Sequence, residues 1–405
     1  MWLKTGTFSA ISVPEYRKLL FSATVFSVAQ WSERLAIGWL FIYQTESVFL
    51  TGMSFAVRQI PMMLLAPFAG TVSDRIPIRR ILFSVGIAQA FFAILMAFAV
   101  MHGDTNVLIM FAIILMSGVG FAFFQPSTQK SFMDVVPDDA RMNAISTGSV
   151  AMRATAVVTA FGSTLLFDKI GGSSTLFFVT AIYLIASVNC FFLLKNIMPA
   201  YMTKKTGLFF SEVARGIHVL FSNSLLRTLL LLAFVIEIFG FAYQAILPAV
   251  AQEVLKLNVT GYGSLSSIAA FGSLLGTIVL MNLADFKHKG KLLIVVTVLY
   301  GIFIATFSLG GIYVLAGILL LGVGACSAVF DSLQWTLLQL NVPEDMRGRA
   351  IGGWTFVIGF GWIGHILIGA AAEFLGISQA LFLAGSCVSI AGLLLFLFLR
   401  RLRTV

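Results

Sequence analysis

Charge is what this chain has least of. Asp, Glu, Lys and Arg make up 11% of the 405 residues against 59% hydrophobic, and the mean hydropathy is +0.99. Soluble domains carry roughly a quarter charged residues, so a soluble protein with a large core is excluded. Cysteine is almost as scarce. Cys190, Cys326 and Cys387 stand alone in apolar runs, which excludes a disulfide framework and a thiolate metal cluster. The 4 histidines are scattered. There is no HExxH, no GxxxxGK[ST] nucleotide loop, no paired aspartates in Gly-rich spans and no Ser-His constellation. The sequence therefore gives no support to a membrane-embedded enzyme, and no catalytic residue, cofactor or metal is expected. A sensor without flux would usually need an appended soluble domain, and none is expected here.

What the chain does have is apolar runs long enough to cross a bilayer. Backbone groups in lipid must be satisfied internally, which leaves helices or a closed barrel. Runs such as Ile81 to Met101 lack the polar–apolar alternation of barrel strands. The pattern predicts an all-α integral membrane protein with spans over 17–45, 50–73, 79–101, 106–133, 142–168, 173–195, 225–253, 260–284, 291–310, 312–339, 348–374 and 377–400. That is twelve transmembrane helices.

One stretch occurs twice. Val136-Pro-Asp-Asp-Ala-Arg-Met-Asn-Ala-Ile returns as Val342-Pro-Glu-Asp-Met-Arg-Gly-Arg-Ala-Ile, 206 residues later. Gly118-Val-Gly-Phe-Ala and Gly322-Val-Gly-Ala-Cys are 204 apart, and Gln129 and Gln334 are 205 apart. A period of half the chain is too long for a solenoid and indicates a duplicated half. Paired halves with a site between them are how many secondary transporters are built. Two pseudo-symmetric six-helix bundles follow, 1–196 and 225–405, joined by a linker over 197–224. Within the linker, Phe210, Val213, Ile217 and Leu220 alternate with Glu212, Arg215 and His218, the spacing of an amphipathic helix on the membrane surface.

The net charge of +9 is a matter of placement. With both termini in the cytoplasm, 21 of the 26 Lys and Arg fall on the cytoplasmic side, only Lys169 and Lys256 fall outside, and Arg34, Arg58 and Arg153 lie within spans. This is the positive-inside bias of a multi-pass protein of the cell (inner) membrane. No nucleic-acid surface is implied. Lys4, Glu15, Arg17 and Lys18 precede a first span that itself holds charges, so a cleaved signal peptide is not expected. External loops are short and a monomer is expected.

Between spans two and three stands Gly70-Thr-Val-Ser-Asp74-Arg75-Ile-Pro-Ile-Arg79-Arg80. A small residue lets helices approach, and Asp74 is placed to pair with basic residues at the cytoplasmic surface. The segment resembles the signature loop of the major facilitator superfamily, with Pro77 where the family has Gly or another turn former. Ala284-Asp285-Phe-Lys287-His-Lys289-Gly-Lys291 echoes it in the second half. The resemblance implies that Gly70, Asp74, Arg75, Arg79 and Arg80 form a cytoplasmic latch. Gln30-Trp-Ser-Glu-Arg-Leu-Ala-Ile-Gly-Trp39, Pro67-Phe-Ala-Gly70, Phe124-Gln-Pro-Ser-Thr-Gln129 and Thr336 to Arg349 are similar to the branch that includes enterobactin exporters and related drug efflux pumps. That similarity implies an exporter of the major facilitator fold, driven by proton antiport. Drug antiporters of this kind commonly carry a Gly-Pro kink in span five. Arg153 to Ser163 has no proline, so antiport is not read from that feature.

A charge inside a span costs about 2.5–3.5 kcal/mol on insertion scales and is a functional candidate by default. Here these are Glu33 and Arg34 in span one, Arg58 in two, Arg153 in five, Glu237 in seven and Asp331 in ten. The three arginines keep their protons and serve as fixed charges that anchor substrate or balance acids. Glu33, Glu237 and Asp331 are the groups able to take up and release a proton. Glu33 and Glu237 are 204 residues apart, at the repeat offset, which sets them at equivalent points of spans one and seven. Gln30 and Arg34 flank the first, and Phe241 and Gln244 follow the second at helical spacing. Two readings stand at this point. Either an acid couples protons or binds a cation, or Glu33 merely balances Arg34, Arg58 or Arg153. Asp331 suits a gate as well as coupling. His365, in span eleven, reads as a packing residue. The 39 Phe, with Trp31, Trp39, Tyr243, Trp335, Trp354 and Trp362, suit a bulky amphipathic solute, siderophore-like or drug-like, better than a sugar. A lipid or lysolipid transporter and a solute importer are the alternatives within the same fold.

Overall fold

The computed structural model describes residues 9–103, 106–194, 223–282, 288–342 and 356–398, with a few isolated positions between them. All regular structure among the described residues is helical. In the first half the helices are α1 (Pro14–Thr45), α2 (Val48–Arg75), α3 (Ile78–Met101), α4 (Val107–Asp134), α5 (Arg141–Ile170) and α6 (Gly172–Leu193). In the second half they are α7 (Ser224–Val235), α8 (Tyr243–Ala249), α9 (Val259–Asn282), α10 (Lys289–Phe307), α11 (Tyr313–Asn341), α12 (Gly361–Leu375) and α13 (Ile377–Phe398). α7 and α8, with the π turns that follow each, form one continuous seventh span, Ser224–Val254.

Eleven of these segments are long and apolar enough to cross a membrane. α1 is not among them, although its 32 residues would reach about 48 Å. The polar stretch Gln30-Trp-Ser-Glu-Arg34 dilutes its middle. α1 is nonetheless the first of the twelve membrane helices, and the observed ends agree with the apolar runs to within a few residues. The start of span eleven and the amphipathic linker helix fall outside the described residues.

Local chemistry sets the helix ends. The Asn106 side chain accepts from the Leu108 N–H at 3.1 Å, and Asn223 accepts from Leu225 at 2.9 Å. Both are N-caps that satisfy an otherwise unpaired amide. The duplication reappears in the backbone. Gly171 joins α5 to α6 at φ 84°, and Gly376 joins α12 to α13 at φ 97°. They are 205 residues apart, and both sit where a side chain would be strained.

The described residues fall into two compact units. One is Met1–Ile37 with Ile60–Thr206, and the other is Gly38–Gln59 with Gly207–Val405. In the first, α3 lies against α6 and α4, and α4 and α6 against α5. Its core includes Tyr16, Phe26, Leu82, Phe124, Phe132 and Tyr183. In the second, α9 packs on α11, α10 on α11 and α13, and α12 on α13 and on the π turn after α7.

Candidate functional site

In the first unit, Glu33 stands on α1 with 2% of its surface exposed. A buried carboxylate requires hydrogen-bond donors, and two helices supply them. Ser117 Oγ of α4 donates to Oε1 at 3.0 Å, and the Tyr183 hydroxyl of α6 donates to Oε2 at 2.6 Å. The carboxyl group is therefore turned into the helix bundle. The register follows from neighbouring contacts. Phe26 stacks on Phe124 with ring centroids 4.5 Å apart, and its ring meets Tyr183 edge-on at 5.4 Å. Arg34, half-buried, lies with its guanidinium 5.2 Å from the centre of the Trp31 ring, a cation–π distance. Arg153 on α5 is half-buried in the same unit.

In the second unit, Glu237 sits in a π turn, Ile236–Gly240, that closes with Phe241 N–H donating to the Ile236 carbonyl at 2.9 Å. Such single wide turns inside a span are frequent at functional sites. Tyr300 of α10 fixes the turn by donating to the Gly240 carbonyl at 2.9 Å. A Cβ on Gly240 would fall 2.8 Å from the Tyr300 ring, so this close approach requires glycine. Glu237 is half-buried and makes no hydrogen bond among the described residues. The space over Gly361 is shared by Glu237 Oε2 and Gln59 Oε1, which would lie 3.0 and 3.1 Å from a Cβ there. Asp331, exposed on α11, is close enough to Glu237 to act on its charge. The second unit thus carries a carboxylate pair, with Tyr243 and Tyr300 nearby. Arg58 on α2 and Gln244 on α8 are both half-buried in this unit.

The same unit holds the hairpin where α1 meets α2. Glu373, near the end of α12, accepts from the Phe49 N–H at 3.0 Å and from Ser47 Oγ at 3.4 Å, capping the start of α2. His365 packs edge-on against Phe55, centroids 6.1 Å apart.

α2 runs through Gly70 and Asp74 to end at Arg75, and Arg79 and Arg80 open α3. The side chains of Asp74 and Arg75 lie outside the described residues, as does the second copy of the repeated stretch beyond Val342. Sequence reading found the acids but not their company. Tyr183, Ser117, Tyr300 and Glu373 come from 84 or more residues away for Glu33 and 60 away for Gly240, and 324 away for Phe49. The one local signal was a polar side chain interrupting an apolar run, as at Gln89 and Tyr183.

Comparison with known proteins places this geometry in context. A family model described as transmembrane secretion effector, a major facilitator group, matches residues 5–404. The chain is similar to the enterobactin exporter EntS of Salmonella typhi, 31% identical over 164 residues, which is 40% of this chain and 39% of that protein. It is 33% identical over the same length to the enterobactin exporter EntS of Citrobacter koseri, again 40% and 39% of the two chains. The matched stretch thus spans about two fifths of the length of these curated relatives. Among solved structures, the nucleoside transporter NupG superposes with a TM-score of 0.76 at 13% identity, over 95% of this chain and 99% of that one. A mutant form of NupG gives 0.71 at 15% identity, over 95% and 100%. At such identity the likeness shows the fold.

Proposed function

Because the chain belongs to the transmembrane secretion effector family of major facilitator secondary transporters, we propose that it exports a bulky amphipathic organic solute, siderophore-like or drug-like, by proton antiport. The observation that carries the reading is a buried carboxyl, Glu33, held at both oxygens by neutral hydroxyls of two other helices. Each of these two hydroxyls can stay in contact with the carboxyl whether or not it carries a proton, because a hydroxyl can turn to donate or accept. Glu237 and Asp331 are the second proton- or cation-binding element, and Gln30, Arg34, Arg58, Arg153 and Gln244 complete the coupling and substrate groups. The export direction is supported by partial similarity to proteins named as enterobactin exporters. The Lys and Arg bias supports cytoplasmic termini and an inner-face position for the latch of Gly70, Asp74, Arg75, Arg79 and Arg80. The two sequence halves act as the moving bundles of alternating access.

The test is transport in proteoliposomes with an imposed pH gradient, using siderophores and amphipathic dyes as substrates. Glu33→Gln and Glu237→Gln should each abolish gradient-driven flux while leaving substrate binding, read by thermal shift, largely intact. Unchanged pH-driven flux in the double variant would sink the coupling assignment.

A further inference from the structure

The interior of the first unit is layered around Glu33. Phe26 faces Phe124 and Glu33 faces Ser117, which sets α1 and α4 in an antiparallel register that places Gln30 level with Gly120. α3 brings a second amide to that level. A Cβ on Gly120 would meet the Gln89 amide, 3.0 Å from its Cδ and 3.2 Å from Nε2. Gln89 is fully buried and Gln30 is 8% exposed. Gln89 Nε2, Gln89 Oε1 and Gln30 Nε2 all lack a hydrogen-bond partner. Three orphaned amide atoms thus share one level, a single helical turn from the carboxyl. The next turn is closed by the stack of Phe26, Phe124 and Tyr183.

Buried polar atoms in native proteins find partners, and where protein supplies none an ordered water with two to four polar contacts does. We infer that the first bundle holds an internal water site, lined by Gln30 and Gln89 between the aromatic stack and Glu33, and that this water carries the proton to and from Glu33. In the step, the Glu33 carboxyl gives its proton to a water lone pair. The carboxylate keeps the hydrogen bonds of Ser117 and Tyr183, and Gln89 Oε1 accepts from the protonated water. Net charge is conserved, and the reverse step reloads the acid. Among the described residues, these groups border the path. α3 and α4 present the neutral Gln89, Gly120 and Ser117, α6 presents Tyr183, and α1 adds Arg34 beside Glu33. Arg153 of α5 lies level with Ser127, about two turns toward the start of α1, by the contact of Gly148 with Phe132.

The relay role rests on the coupling role proposed for Glu33, but the water site can be read without it. Infrared difference spectra after a pH jump, recorded on the purified protein in ordinary and heavy-oxygen water, report bound water directly. A water band that shifts with the heavy isotope in the native protein, and disappears in both Gln89→Leu and Gln89→Met, is expected. Proton uptake at Glu33 in these variants should slow by about a hundredfold, the lower range of what a positioned proton-transfer group contributes, while substrate affinity holds. Absence of the band in the native protein, or its persistence in a folded Gln89→Met, overturns the site. A band present in the native protein and lost in the variants, with proton uptake unchanged, overturns the relay. An intact band with unaltered pH-driven flux in Glu33→Gln upholds the water site and overturns the coupling role instead.

Discussion

Glu33 and Glu237 occupy the same place in a duplicated sequence and live in different chemistry. The first lies in an unbroken helix, 2% exposed, with a hydroxyl donor at each oxygen. The second lies in a π turn, half-buried, with no donor among the described residues and a second carboxylate, Asp331, acting on it. The position 205 residues before Asp331 is Pro126, so the first unit has no matching acid. Duplication preserved where an acid stands on its helix, while the neighbours diverged. One carboxyl is held at both oxygens by hydroxyls; the other stands close to a second acid.

The sharpest way to break this contrast is to delete each acid in turn. Glu33→Leu removes the buried carboxylate that accepts from the Ser117 and Tyr183 hydroxyls. At about 1–3 kcal/mol for each donor that loses its acceptor, the loss should reach roughly 2–6 kcal/mol. Glu237→Leu removes a repulsion with Asp331 and orphans no hydroxyl, so it should be near neutral or mildly stabilising. Thermal or denaturant unfolding of the two variants in one detergent decides. Equal losses would mean the two surroundings are energetically alike, and the contrast drawn from hydrogen bonds would fall.

The π turn offers a smaller lever. Gly240 approaches the Tyr300 ring closely enough that an added methyl would sit 2.8 Å away. Its counterpart 204 residues earlier is Ala36, buried in ordinary helix. Gly240→Ala should therefore cost about 1–3 kcal/mol through overpacking, whereas Ala36→Gly should cost roughly 1 kcal/mol, as a helical glycine does. Truncating the obstacle with Tyr300→Leu should make Gly240→Ala milder. A Gly240→Ala variant as stable as the native protein would mean that the turn does not need its glycine.

How much of this was legible in the sequence depends on the range of the forces involved. Helix positions follow from apolar runs, a local property, and the spans came out within a few residues of the observed helices. The duplicated stretch pointed to paired halves, and the paired Gly171 and Gly376 express the same repeat in backbone angles. The π turns did not show, because a widened turn is chosen by what packs on it, here Tyr300 from another helix. Likewise, Gln89 read as one residue of the apolar run Ile81 to Met101. Only the packing of α3 on α4 reveals it as a buried amide with nothing to bond. Glu33 was legible as a candidate, but its orientation was not, since that is set by hydroxyls 84 and 150 residues away.

The smallest effect concerns the segment that distinguishes the units most plainly. Residues 38–59 come from the first half of the sequence but belong to the compact unit of the second. Glu373 is a polar tie in that arrangement, accepting from the Phe49 N–H at the start of α2. A carboxylate at a helix N-terminus contributes about 0.3–1 kcal/mol at an exposed position, since it meets both an unpaired amide and the positive end of the helix dipole. Glu373→Ala should therefore raise hydrogen exchange of the Phe49 and Leu50 amides by roughly two- to fivefold and leave exchange around Glu33 unchanged. Glu373→Asp, one methylene shorter, should fall between. If exchange at Phe49 does not move, the hairpin is held by apolar contacts such as Phe55 on His365, and the carboxylate is incidental to its place in the second unit.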